Sequence, residues 1–296
     1  MSDQILRRLP NFLYIGPDKA GSSWLHEVLV LHPQIYMTEA KDLYFFDRYY
    51  DRGIAWYARQ FEGAGPHHRI VGELTQDYLF CTEAPARIRH DLGPEIQMMV
   101  TLRDPVARAF SSYLYMLKQG EQPGTFHEAL TRRPELIEHG RYAGALRRFY
   151  DHFPPDQILI TVFDDLQADN QAFADRVFAF LGVDSMALDE SLRAPRLRAA
   201  RARSVAAARL ARAAANWVRL RDGAGFVGRV KRSPFVQKLL YRELQDDMPR
   251  LDEGDAAVVR DLLAEDVADL DRLVGRGLRQ RWAWPTDVPT ATRSEP

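Results

Sequence analysis

The stretch from residue 12 to residue 31 constrains this chain more than any other. Phe12-Leu-Tyr-Ile15 is an unbroken apolar run of the kind found in strands buried on both faces. Gly16, Lys19, Gly21, Ser22 and Ser23 follow in a short loop, and Trp24, Leu25, Val28, Leu29 and Leu31 then recur at helical spacing. A strand, a glycine-bearing turn and a helix in this order belong to an α/β fold with a parallel sheet. They also make an anion cradle. The first N–H groups of a helix have no partner inside it, its dipole adds partial positive charge there, and Lys19 adds a full one. A nucleoside-triphosphate loop reads G-x-x-x-x-G-K-S/T, with the lysine after the second glycine. Here Lys19 precedes Gly21.

A second strand-to-helix turn lies further on. Ile96-Gln-Met-Met-Val-Thr-Leu102 is apolar and runs into Arg103-Asp104-Pro105, and 106–118 has helical spacing. Pro105 suits a first helical turn, where its missing N–H costs nothing, and Asp104 suits the N-cap. Arg103 then stands at the carboxyl end of a strand, where open α/β sheets bind ligands. Ser111 follows about two helical turns later, and a guanidinium fork with a hydroxyl can hold one phosphate between them.

These two segments resemble the two phosphate motifs of the sulfotransferases that use 3′-phosphoadenosine 5′-phosphosulfate (PAPS). K-x-G-S/T-S/T-W is similar to the 5′-phosphosulfate loop, and R-D/N-P-x-x-R-A/L-x-S-x-Y/W to the 3′-phosphate motif. The resemblance implies cofactor contacts from Lys19, Ala20, Gly21, Ser22, Ser23, Trp24, Arg103 and Ser111. It implies a single α/β domain with a central parallel sheet flanked by helices, the P-loop-like sulfotransferase fold. Glu39-Ala-Lys-Asp-Leu-Tyr-Phe-Phe-Asp47 is similar to the K-E-x-x-F-F-D stretch of heparan sulfate sulfotransferases and their bacterial relatives. In that family the glutamate after the lysine is the general base. Asp42 stands at its position, one methylene shorter, and Glu39, Glu73 and Asp77 are alternative bases. In Gly72-Glu-Leu-Thr-Gln-Asp-Tyr-Leu79, Glu73, Thr75 and Tyr78 match the family, whereas Leu74 replaces a lysine that helps hold the sulfuryl group or acceptor, and Gln76 a proline. The resemblance covers roughly 10–182 well and the C-terminal helix loosely.

The implied activity is sulfuryl transfer from PAPS to a hydroxyl or amine of a carbohydrate or small-molecule acceptor, with Lys19 and Asp42 as catalytic residues. Two rivals stay open: a P-loop-type kinase or NTPase, and a non-catalytic nucleotide-binding relative. No Asp/His cluster has ligand spacing, and no metal is expected. The aromatics Tyr44, Phe45, Tyr49, Tyr50, Trp56 and Tyr57 are candidates for stacking on an acceptor and equally for core.

The rest of the chain bounds these readings. Its 296 residues are 46% hydrophobic, enough for a substantial core, and a formal net charge of −1 gives no field for nucleic acid or anionic membranes. Cys81 is the only cysteine, which excludes an internal disulfide and fits a reducing compartment. No apolar run approaches the roughly 20 residues of a membrane span, and no signal peptide is evident. The expectation is a cytoplasmic protein without a transmembrane segment. Its arginine-over-lysine bias and abundant alanine suggest a bacterial, GC-rich source. Strands are expected at 12–15, 35–37, 70–72, 96–102 and 157–163. Helices are expected at 22–31, 53–61, 84–91, 106–118, 126–130, 142–151, 171–181 and 255–273. No linker interrupts 1–296, so one domain is expected, with an Arg/Ala-rich helical insertion over 193–250 and a C-terminal helical part over 251–284. Nine arginines lie between Arg193 and Arg221, and Arg196, Arg198 and Arg201 are candidates for a loop closing over the nucleotide. A homodimer is an open option.

Overall fold

The computed structural model describes residues 9–193, 200–202, 241–243 and 249–285, with only the backbone described at 200–202 and 241–243. Five parallel strands form the sheet: β1 (Phe12–Gly16), β2 (Ile35–Met37), β3 (Ile70–Leu74), β4 (Gln97–Leu102) and β5 (Ile158–Val162). They lie in the order β2-β3-β1-β4-β5. The register sets Phe12 beside Gly72 on one side and beside Gln97 on the other. Helices follow in the order α1 (Ser22–Leu31), α2 (Ile54–Arg59), α3 (Ala84–Leu92), α4 (Pro105–Lys118), α5 (Phe126–Arg132), α6 (Glu135–Glu138) and α7 (Tyr142–Tyr150). They continue with α8 (Phe163–Ala168), α9 (Asn170–Leu181), α10 (Glu190–Arg193), α11 (Glu253–Val274) and α12 (Leu278–Arg281).

Side-chain alternation along the buried strands splits the core in two. Phe12 and Tyr14 of β1 join Met99 and the apolar stripes of α1 and α9 on one face. Leu13 and Ile15 join Met98, Val100 and helices α4, α7 and α11 on the other. The crossovers from β1 and β4 therefore leave toward opposite faces, and a crevice opens where they part, at the carboxyl ends of two adjacent strands.

Most expected elements are present within a residue or two. The strand expected over 157–163 ends at Val162, because Phe163-Asp164-Asp165 opens α8 with two acids in the first turn, where the helix dipole favours them. Within 193–250, where a helical insertion is expected, the described residues include the antiparallel pair β6 (Ala200–Ala202) and β7 (Tyr241–Glu243), and most of that segment lies outside the described residues. That pairing joins segments far apart in the sequence, with Arg201 beside Arg242. Arg196 and Arg198 lie outside the described residues, as does the side chain of Arg201. The C-terminal helix runs to a left-handed C-cap at Gly275, the residue type that takes that conformation without strain. No helix of the described residues is long and apolar enough to cross a membrane.

Candidate active site

The crevice is a cleft of about 1420 Å³ whose walls include Lys19, Ser22, Ser23, Arg103, Ser111 and Asp42. Gly21 and Trp24 also line it. Ala20 is buried and does not.

The β1–α1 loop is shaped by its backbone. Lys19 and Gly21 both have left-handed backbone, φ 60° and 89°. At Gly21 the left-handed φ calls for glycine, and a Cβ there would also meet Leu166 Cδ2 at 2.5 Å, which the leucine end would have to move aside to admit. Gly21 caps α1 with no side-chain hydrogen bond, and no acid lies in the first helical turn. The N-terminal amides of α1 are thus left to a ligand. Burial pushes the Lys19 ammonium down to about 8, with Arg103 adding to that and Asp18 opposing it. The Lys19 Nζ sits 4.3 Å from the centre of the Tyr115 ring. Lys41 Nζ donates to Ser22 Oγ at 3.0 Å and to Ser23 Oγ at 3.2 Å, adding a second lysine at this helix end.

The β4–α4 turn is locked to that loop. Arg103 Nη1 donates to the Lys19 carbonyl at 2.6 Å, and its guanidinium lies 4.6 Å over the Phe163 ring. Tyr142 donates to the Arg103 carbonyl at 3.1 Å. Asp104 caps α4 by accepting from the Ala107 amide, and its other oxygen accepts from Trp284 Nε1 at 2.8 Å. A strut that sequence reasoning missed joins the two loops. Arg108, 1% exposed, pairs with Asp18 at 2.9 Å and donates to the Leu136 carbonyl, while Ser112 donates to the other Asp18 oxygen. Burial pushes the Asp18 carboxyl up, but Arg108, His139 and Ser112 outweigh it and hold it well below the usual carboxylate range. The one signal available beforehand was the second arginine of R-D-P-x-x-R.

On the opposite wall, Asp42 has left-handed backbone (φ 61°), which aspartate tolerates better than most residues. Its amide donates to the Leu74 carbonyl at 2.8 Å. Its Oδ1 is buried without a hydrogen-bond partner among the described residues. The alternative bases are placed differently. Glu39 is exposed and does not line the cleft. Asp77 lines it but is ion-paired to Arg48, and burial raises its carboxyl to about 6 against that pairing. Glu73 is fully buried and takes hydrogen bonds from Tyr57, Thr75 and Tyr78, and burial raises it to about 7 against those three hydroxyls. Among the aromatic candidates, Tyr44 lines the cleft. Phe45 and Tyr57 are wholly buried and stacked at 4.4 Å, Trp56 is buried, and Tyr49 and Tyr50 pack against the same core. Among the described residues, no group of three or more His, Cys, Asp or Glu side chains is arranged to hold a metal ion.

Fold and cleft together define a doubly wound α/β protein with two cationic sites at adjacent strand ends. The sequence matches the sulfotransferase domain family over residues 9–224, and the chain belongs to that family. It is 34% identical over 202 residues to human heparan sulfate glucosamine 3-O-sulfotransferase 3A1, covering 64% of this chain and 48% of that protein. It is 32% identical over 205 residues to human bifunctional heparan sulfate N-deacetylase/N-sulfotransferase 3, covering 60% of this chain and 22% of that protein. The chain spans about half the length of the first of these or less. Among solved structures it resembles a sulfotransferase from Alicyclobacillus acidocaldarius, with a TM-score of 0.66 at 23% identity over 93% of this chain and 99% of that one. It also resembles mouse sulfotransferase SULT7A1 in complex with PAP, with a TM-score of 0.50 at 16% identity over 91% of this chain and 87% of that one. These likenesses bear out the expected fold.

Proposed function

We propose that the protein transfers a sulfuryl group from PAPS to a hydroxyl of a carbohydrate acceptor. The observation that carries this reading is the convergence of Lys19, the uncapped start of α1, Arg103 and Ser111 on one cleft with Asp42 opposite. Two anion sites at neighbouring strand ends suit a nucleotide phosphorylated at both its 5′ and 3′ positions. The α1 amides, Ser22, Ser23 and Lys19 hold the 5′ side, and Arg103 with Ser111 holds the 3′-phosphate. Heparan sulfate glucosamine, named for the relatives, supports a glycan acceptor. Kinase and non-catalytic readings have no comparable support.

When bound, PAPS supplies the sulfuryl group and a phosphate leaving group. The acceptor oxygen forms the new O–S bond as the bond from sulfur to the phosphate oxygen breaks, and the electron pair leaves with adenosine 3′,5′-bisphosphate. Asp42, on the cleft wall, takes the hydroxyl proton. Lys19 meets the charge growing on the leaving oxygen, a role whose loss costs about 100- to 1000-fold in turnover. Cytoplasmic residence belongs to the same proposal, supported by a single, half-buried cysteine.

Calorimetric titration with adenosine 3′,5′-bisphosphate, with ADP and 5′-AMP as controls and no divalent cation added, tests the cofactor. Tight binding that requires the 3′-phosphate and weakens in Arg103→Ala is expected. Equal binding of ADP, or wild-type turnover in Lys19→Ala with a glycan acceptor, overturns the reading.

A further inference from the structure

Glu73 is the best-satisfied buried acid near the cleft, and the proposed chemistry does not use it. It lies at the end of β3 with no exposure. Its Oε1 accepts from Tyr57 at 2.8 Å and from Tyr78 at 2.7 Å, and its Oε2 accepts from Thr75 at 2.7 Å. Two of those hydroxyls reach further. Tyr78 accepts the Phe45 amide at 2.9 Å, and Thr75 Oγ1 accepts the Tyr44 amide at 3.4 Å. Tyr44 and Phe45 belong to the segment that presents Asp42. That segment carries left-handed backbone at both Asp42 and Tyr44, which an unsupported chain does not keep.

The direction of each hydrogen bond makes the arrangement specific. A hydroxyl has one proton, and it can offer its oxygen to a backbone N–H while donating that proton elsewhere. An ionised carboxylate, which only accepts, takes the protons of Tyr78 and Thr75 together and leaves both oxygens facing the loop. The three hydroxyl donors favour that ionised form, while burial still raises the group to about 7, so the full set of hydrogen bonds is kept above that pH.

We propose that Glu73 is a positioning residue: by orienting the hydroxyls of Tyr78 and Thr75 toward the amides of Phe45 and Tyr44, it holds the loop that presents Asp42 to the acceptor. The inference rests on the sulfotransferase reading for its kinetic consequence but not for its structural one. Tyr57 supplies an internal control. It donates to the same carboxylate oxygen as Tyr78, yet no bond from its hydroxyl to the loop backbone accompanies that contact. Glutamine at position 73 keeps the shape, but its amide nitrogen only donates, so the hydroxyl facing it loses its acceptor and must turn its proton elsewhere.

The test compares Glu73→Gln, Tyr78→Phe, Thr75→Val and Tyr57→Phe in the full chain. Readouts are amide hydrogen exchange across 42–46, affinity for adenosine 3′,5′-bisphosphate, melting temperature, and kcat against acceptor KM. Glu73→Gln and Tyr78→Phe should speed exchange across 42–46 at least tenfold and cut kcat about tenfold, with nucleotide affinity unchanged. Thr75→Val should do the same more weakly, and Tyr57→Phe should change kcat less than twofold. Should Glu73→Gln fail to fold, Tyr78→Phe against Tyr57→Phe decides alone. Unchanged exchange in Tyr78→Phe, or equal losses in Tyr57→Phe and Tyr78→Phe, overturns the inference. Failure of wild-type protein to bind the bisphosphate sinks the sulfotransferase reading and leaves the exchange result standing.

Discussion

On the nucleotide side of the cleft, Lys19 and Arg103 face the opening, while the nearest acid, Asp18, is drawn off onto Arg108 and Ser112. On the acceptor side, Asp42 faces the opening, while Asp77 is engaged by Arg48 and Glu73 is enclosed by hydroxyls. Each wall leaves its working charge available by occupying the competing groups elsewhere. The means differ. Both walls carry left-handed backbone, at Lys19 and Gly21 on one side and at Asp42 and Tyr44 on the other, but the nucleotide wall is braced by one buried ion pair. The acceptor wall relies on side chains from β3 and the following turn gripping a loop that follows β2.

The largest effect that separates the walls is expected at Asp42. Asp42→Asn removes the proton acceptor and leaves every nucleotide contact in place. Turnover should fall by about 100- to 10,000-fold, the usual range for a positioned base, with affinity for adenosine 3′,5′-bisphosphate unaltered. Steady-state kinetics beside calorimetry reads both. A parallel loss of nucleotide affinity would mean that the walls are not independent.

Arg108→Ala tests the opposite wall and comes next in size. It strips the buried Asp18 carboxylate of its ion pair and leaves the Leu136 carbonyl without its guanidinium donor. Breaking a buried pair from one side costs about 3–5 kcal/mol, so a large drop in the denaturation midpoint is expected. With Asp18 no longer held away, its charge is free to compete for Lys19, and nucleotide affinity should fall too. Asp18→Asn distinguishes the two consequences, since it removes the competing charge and should leave affinity closer to wild type.

The same contrast explains what could be read from residues alone. Lys19, Gly21 and Arg103 each sit within a single strand-turn-helix, so their roles follow from a dozen adjacent residues. The Asp18–Arg108 strut joins residues 90 apart and depends on β1 lying beside β4, which no local pattern encodes. Asp42 came through family resemblance, because nothing local distinguishes it from Glu39 or Asp77. Its place on the cleft wall emerges only once its amide is bonded to the Leu74 carbonyl at the end of β3. The aromatics of 44–57 were ambiguous because stacking platforms and core use the same residues; burial assigns Phe45, Trp56 and Tyr57 to packing, Tyr49 and Tyr50 lie half-buried against the same core, and Tyr44 lines the cleft. The end of β5 was overrun because Phe163 prolongs the apolar run while serving as the first residue of α8.

A smaller effect concerns Lys19 alone. Burial lowers its ammonium to about 8 in the free protein, and an anionic phosphate beside it restores the charged form. Binding of adenosine 3′,5′-bisphosphate should therefore take up protons above pH 8, whereas near pH 6, where Lys19 is already charged, this residue contributes none. Calorimetry in buffers of different ionisation enthalpy measures the uptake, which Lys19→Ala should abolish. Stability of the free protein carries the matching sign. The unfolded lysine keeps its proton up to 10.5 and the folded one does not, so this residue's contribution improves as pH rises from 8 toward 10.5.

The smallest expected effect is also the finest cut between ligand contacts and internal struts. Ser111 and Ser112 are neighbours on α4 and both reach the cleft wall, but Ser112 is buried and spends its proton on Asp18. Ser111→Ala should weaken adenosine 3′,5′-bisphosphate binding by about tenfold, the worth of one hydrogen bond to a charged group at the lower end of its range, with the melting temperature unchanged. Ser112→Ala should act the other way round. Losing a donor to a buried carboxylate costs about 1–3 kcal/mol of stability, whereas the Arg108 pair keeps Asp18 in place and affinity nearly intact. If both serines behave alike, the helix presents them equally to the ligand, and the separation between binding groups and struts on this wall does not hold.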